Sequence, residues 1–163
     1  KVTAEMRIRE AQAADKIIGG RGVEFFDLRE GKFESEFAEK KMMEKIAALV
    51  KKHKPAKIFI HSQDDPHGDH HTLHRLVVKT LQEIGYKGEI YAFDVWNPLN
   101  VRLRHKPRLY IDITESFNTK IRALQVFKSQ KHAMPPFLFV YLRAFWHGLH
   151  INVKYAERFY KVK

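Results

Sequence analysis

Lys57-Ile58-Phe59-Ile60-His61, running into Ser62-Gln63-Asp64-Asp65-Pro66-His67-Gly68-Asp69-His70, is the stretch that decides the fold. Its first five residues are a short apolar run of the kind buried in a parallel sheet. Polar, turn-forming residues follow. From His70 to Ile84, Leu73, Leu76, Val77, Leu81 and Ile84 then recur on one helical face.

The same alternation extends in both directions. Downstream, Glu89–Phe93 and Arg108–Ile113 read as strands, and Thr114 starts a helix carrying Phe117, Ile121, Leu124 and Phe127. Pro135-Pro136 opens a last aromatic-rich segment, whose Phe139, Tyr141, Phe145 and Trp146 are expected in the core. Upstream, Ser35 can cap a helix running to about Lys52, with Phe37, Met42, Met43, Ile46, Leu49 and Val50 at a 3.6-residue period. Val23–Leu28 reads as a short strand. Residues from about Thr3 to Ile18 read as a helix stopped by Gly19-Gly20. Strands alternating with amphipathic helices predict an α/β fold, with a parallel sheet and helices on both faces. No repeat or linker divides the chain, so residues 1–163 are expected to form a single domain. Because such a sheet normally opens on a strand, and the chain opens on a helix at Lys1, an N-terminal piece with the first strand is expected to be missing.

Composition narrows the function. Zero cysteines exclude disulfides and Cys-ligated zinc or iron–sulfur sites. No apolar run approaches the roughly 20 residues that span a bilayer, and no secretory signal pattern opens the chain. These features predict a cytoplasmic protein with no transmembrane segment; a homo-oligomer is compatible with them. The net charge of +11 favours anionic partners, although a solvated basic surface explains it equally. No recognition helix, RNP-like or zinc-finger pattern accompanies the charge, so nucleic acid is not expected as a partner.

Four of ten histidines, His67, His70, His71 and His74, fall within eight residues, interleaved with Asp64, Asp65 and Asp69. They sit where a strand ends and a helix begins, the place where open α/β sheets bind ligands. Imidazole and carboxylate together suit a divalent metal such as zinc. His70 and His74, four apart, could hold one ion like the paired histidines of a zincin, but the general-base position between them is His71 rather than Glu. Otherwise one histidine of the turn binds metal and a nearby His–Asp pair handles protons and charge. A purely structural role also fits, with Asp69 capping the helix. Trp96-Asn97 follows a strand and could line a pocket.

Five segments in order carry a family resemblance: Arg7-x-x-Glu10-Ala11 with Ile17-Ile18-Gly19; His67-Gly68-Asp69-His70; Ile111-Asp112-Ile113-Thr114; Lys120, Ala123-Leu124 and Ser129-Gln130; and Gly148 with Tyr155–Phe159. With them the chain resembles the PIG-L/LmbE-like family of zinc-dependent N-acetylglucosaminyl deacetylases. His67–His70 is similar to that family's His-Pro-Asp-His motif, with Gly68 in place of Pro. The resemblance implies a Rossmann-like three-layer fold and removal of the N-acetyl group from an amino sugar or glycoconjugate. It implies that His70 is a ligand of Zn2+ or another divalent metal. It also implies that His67 stabilises the oxyanion or protonates the leaving amine, that Asp69 orients His67, and that Arg7 faces the site. His71 and His74 then become helix-surface residues. The family's remaining metal ligands and its base come from an Ala-His-Pro-Asp-Asp motif, which this sequence lacks. The chain as given is therefore expected neither to bind zinc tightly nor to turn over substrate. The alternative is a non-catalytic relative that binds an anionic glycan or another acidic partner.

Overall fold

A computed structural model describes residues 3–93, 95, 107–130 and 137–163. Trp96 and Asn97, and the Pro135-Pro136 pair, lie outside the described residues. The elements are α1 (Ala4–Ile18), α2 (Phe33–Glu39), α3 (Met42–His53), β1 (Lys57–His61), α4 (Gly68–Glu83), β2 (Glu89–Phe93), β3 (Arg108–Asp112), α5 (Phe117–Gln125), α6 (Phe137–Leu149) and β4 (Ala156–Lys161), with a 3₁₀ turn at Lys128–Gln130.

The four strands form one sheet in the order β1-β2-β4-β3. β1 and β2 are parallel, with Ile60 opposite Ala92 and His61 opposite Phe93. β4 is antiparallel to β2, pairing Tyr160 with Ala92. The fold is thus α/β as expected, but the sheet is mixed where a mainly parallel one was predicted. Apolar patterning identifies a strand without giving its direction, and a mixed sheet arises readily when a late strand joins a parallel pair.

Two further expectations fail locally. Val23–Leu28 forms no strand, and Asp27 sits at φ 55°, outside the extended region. The helix expected from Ser35 to Lys52 is two helices broken at Lys40-Lys41, where Lys41 adopts φ 52°. In a continuous helix Phe37 and Met42 would point about 140° apart. The break lets both be buried. Ser35 donates its hydroxyl to the Lys32 carbonyl rather than capping the helix.

The chain divides into two compact units. The first comprises residues 1–25 and 110–157. Within it, Thr3 caps α1 by accepting the Met6 N–H at 3.2 Å, and Gly19 ends α1 in the left-handed conformation at φ 73°. Phe117, 1% exposed, packs with Ile121 and Ala144 and stacks on Tyr155 at 4.0 Å. α6 buries its small residues, Ala144 and Gly148, together with His147. Phe139, Tyr141, Phe145 and Trp146 are instead exposed, contrary to the core placement expected of them. The buried stripe runs through positions 140, 144, 147 and 148; Phe139, Phe145 and Trp146 turn away from it, while Tyr141 flanks it and packs edge-on against Phe117 at 4.9 Å.

The second unit comprises residues 26–109 and 158–163. Ile60, Leu81, Tyr86 and Ile90 form its core, with Ile46, Val50, Val77 and Val162 packed against them. Glu36, almost completely buried, accepts from the Arg29 backbone N–H at 2.9 Å, from the Arg29 guanidinium, and from Lys40 at 3.1 Å. These donors hold its carboxyl well below the usual range, at about 2. Packing of α4 against β1 fixes the connection that bears the histidines.

Candidate metal centre

β1 ends at His61 and α4 begins at Gly68, so the intervening turn is anchored at both ends. His67 is the residue before α4, with extended φ −79° and ψ 119°, and its carbonyl accepts the His70 and His71 N–H groups at 3.0 and 3.2 Å. Asp65, 6% exposed, accepts the His67 N–H on Oδ1 at 3.0 Å. The same oxygen lies 3.1 Å from Nδ1 of His70. Asp65 Oδ2, Asp64 Oδ2 and His70 Nδ1 are buried without an aligned hydrogen-bond partner.

The imidazoles are layered. The His70 ring stacks on that of His61 at 4.0 Å and on that of His67 at 4.6 Å. His61 also packs on Phe93. Burial, reinforced by the neighbouring His70 and His67, pushes the His61 pKa down to about 4, against an opposing pull from Asp65. His61 is therefore neutral at neutral pH.

A second group adjoins this stack. Glu30, His67 and Asp69 bring one donor atom each to within 4.8 Å of one another. His67 Nε2 is 3.6 Å from Glu30 Oε1. Both carboxylate oxygens of Asp69 accept the Gly31 N–H, at 3.1 and 2.9 Å. Asp69 thus ties the loop bearing Glu30 to the start of α4, and the carboxylate in ion-pair reach of His67 is that of Glu30. His74, expected on the helix surface, is buried, with Nδ1 2.8 Å from the His61 carbonyl oxygen. Four residues after His70, it points from α4 onto β1. His71 is exposed as expected.

Arg7, Glu10, Asp112, Thr114, Lys120, Ser129 and Glu157 lie in the first unit. Arg7 is an exposed residue of α1. Asp112 Oδ1 accepts the Thr114 N–H at 2.8 Å, and Thr114 Oγ1 accepts the Tyr155 N–H at 3.2 Å. Glu10 accepts both the N–H and the hydroxyl of Ser129. Lys120 pairs with Glu157. These residues fasten segments of the unit together.

Among the described residues, the donor atoms close enough to share a divalent ion are those of Glu30, His67 and Asp69, imidazole and carboxylate in one place; His70, the expected ligand, is not one of them. His61 and Glu30 were missed by sequence reasoning. His61 could have been found as the last residue of a strand facing a ligand-binding turn; nothing local marks Glu30. Among the described residues no helix is long and apolar enough to cross a membrane.

Residues 1–81 match the model of the PIG-L family, described as GlcNAc-PI de-N-acetylase. The chain is 30% identical over 140 residues to the 4-oxalmesaconate hydratase of Pseudomonas putida KT2440. That alignment covers 78% of the chain and 52% of the hydratase, so the chain spans about half the length of this curated relative. Among solved structures, the chain is similar to GalB, the 4-carboxy-2-hydroxymuconate hydratase of Pseudomonas putida KT2440. The TM-score is 0.70 at 23% identity, covering 98% of this chain and 72% of that one. It is also similar to the N,N'-diacetylchitobiose deacetylase of Pyrococcus horikoshii, with a TM-score of 0.66 at 19% identity, covering 98% of this chain and 64% of that one. At these identities the two structures show the shared fold alone.

Proposed function

The chain belongs to the PIG-L/LmbE-like family, and from that premise we propose that it contributes the histidine half of a metal-dependent, water-activating site that removes the N-acetyl group from an amino sugar or glycoconjugate. The observation that carries this reading is the layered set His61–His70–His67 at the end of β1, next to the carboxylates of Asp65, Glu30 and Asp69. In it His70 is a metal ligand. A bound divalent ion would polarise the amide carbonyl and lower the pKa of a water toward about 7.

The chain's own residues have separable tasks. His67 is half-exposed at the mouth of the turn and within ion-pair reach of Glu30, which suits it to hold a proton at Nε2 for the departing amine. Asp69 holds the Glu30 loop through Gly31. Arg7 remains a proposal for the catalytic site on the family resemblance, and Trp96 and Asn97 for substrate contact on sequence position.

A second reading is addition of water to an unsaturated carboxylate, favoured by the 30% identity to a hydratase. The +11 charge suits a carboxylate substrate better than a neutral sugar. One experiment separates the two. The chain is loaded with Zn2+ and its metal content measured, then assayed for amine release from N-acetylglucosamine derivatives and for loss of the near-ultraviolet absorbance of a conjugated dicarboxylate. Amine release that is abolished in His67→Ala supports deacetylation. Absorbance loss without amine release replaces it with hydration. Zn2+ binding no tighter in the wild type than in His70→Gln overturns the catalytic reading and leaves binding of an acidic partner.

A further inference from the structure

Asp65 lies in the turn between β1 and α4. Its side chain is fully buried, and it touches both histidines of the motif in different ways. Through Oδ1 it accepts the His67 backbone N–H at 3.0 Å, which sets the direction in which the chain enters α4. The same oxygen stands 3.1 Å from the His70 ring at Nδ1. His70 Nδ1 and Asp65 Oδ2 are both buried and have no aligned hydrogen-bond partner among the described residues.

The stacking adds an independent constraint. Stacked on His61 at 4.0 Å and on His67 at 4.6 Å, the His70 ring is held near one plane but can still flip within it. A carboxylate at one edge removes that freedom. An acceptor 3.1 Å from Nδ1 favours the tautomer that keeps the proton on Nδ1 and leaves the lone pair on Nε2. A histidine that binds a cation through Nε2 needs this arrangement, and a carboxylate partner on the other nitrogen also raises the basicity of the ligating one.

We infer that Asp65 is the positioning residue of His70, fixing its ring so that Nε2 is the atom offered to a metal ion. The inference rests on the reading of His70 as a metal ligand, and its test separates the two. Nitrogen-15 NMR of the metal-free chain, with ring resonances assigned through His70→Gln, reports which nitrogen of His70 carries the proton. The expected result is the Nδ1–H form in the wild type, its loss in Asp65→Ala, and its recovery in Asp65→Asn, whose amide oxygen still accepts. An Nε2–H tautomer in the wild-type chain overturns the inference without any variant, so failure of Asp65→Ala to fold does not protect it. An unchanged tautomer in folded Asp65→Ala overturns it as well. Titration with Zn2+ alone supplies the second readout. Asp65→Ala is expected to weaken affinity by about 10–100-fold, and His70→Gln to weaken it further. Equal affinity of His70→Gln and wild type would instead remove the metal-ligand reading, while the tautomer still decides the role of Asp65.

Discussion

Gly68 stands where the family motif carries proline, and the structure indicates what restoring that proline would do. Gly68 is the first residue of α4, a position whose N–H has no partner inside the helix, and among the described residues it makes no hydrogen bond. A side chain built there meets nothing within 4 Å. The residue before it, His67, is already extended at ψ 119°, the conformation that a following proline demands. Proline therefore loses no bond, enters open space at its preferred helical position, and narrows the unfolded ensemble relative to glycine. Each such restriction is worth about 0.4–1 kcal/mol, so Gly68→Pro should stabilise the chain by about 1 kcal/mol. For a chain of this length that raises the melting temperature by about 2–4 °C. Thermal and urea unfolding followed by circular dichroism would measure it, with Gly68→Ala as a companion expected to gain about 0.5 kcal/mol. A Gly68→Pro variant that melts below the wild type while Gly68→Ala does not would refute the reasoning, because the turn would then depend on the N–H or on a conformation closed to proline.

Gly148 should behave in the opposite way. An added Cβ would sit 2.4 Å from the Val153 carbonyl oxygen and 2.9 Å from that of Lys154, and the Val153 N–H bond to Gly148 holds this turn in place. Gly148→Ala is expected to cost about 1–3 kcal/mol in urea titrations, despite alanine's better helix propensity. Phe117→Ala should cost about 3–5 kcal/mol by the same measurement, because that ring is enclosed by Ile121, Ala144 and Tyr155. The Glu36 carboxyl has a folded-state pKa near 2, below its ordinary 4.5, so its contribution is complete above about pH 4.5 and is lost as pH falls toward 2. Acid titrations of Glu36→Gln should therefore show a shallower loss of stability across that window, and a slope equal to that of the wild type would contradict the assignment.

Where elements could be read from the sequence, the information was local. α1 announced itself by a glycine stop, which the structure has, together with a threonine cap at its start. β1 and β2 are short apolar runs with nothing polar to place them elsewhere, and their bounds match the reading. The failures depend on partners. Val23–Leu28 has strand-like composition, but a strand exists only if a neighbour pairs with it, and Asp27 turns the backbone aside. The break at Lys41 follows from the burial of Phe37 and Met42 on either side, which a 3.6-residue period does not contain. The aromatic residues of α6 read as core by type, yet the helix packs through Ala144 and Gly148, where close approach needs small side chains.

The candidate site divides in the same way, and the division bears on mechanism. His67, Asp69 and His70 were legible because one turn holds them together. His61 enters by stacking from the preceding strand, and Glu30 arrives on a loop tied to Asp69 through the Gly31 N–H, a contact between residues 38 apart. No periodicity encodes either relation. The two histidine–carboxylate pairs also differ in exposure: the Asp65 side chain is wholly buried and His70 is 23% exposed, whereas His67 and Glu30 are 42% and 73% exposed. A buried pair exchanges protons poorly with solvent and holds its geometry; an exposed pair does the reverse. On the proposed function this assigns the holding of a metal to His70 with Asp65, and the handling of a proton to His67 with Glu30. The assignment serves deacetylation and hydration alike, since both need an activated water and a proton delivered to the atom that accepts the electron pair. Substrate choice between them is then a matter of what surrounds the histidine stack rather than of the stack itself.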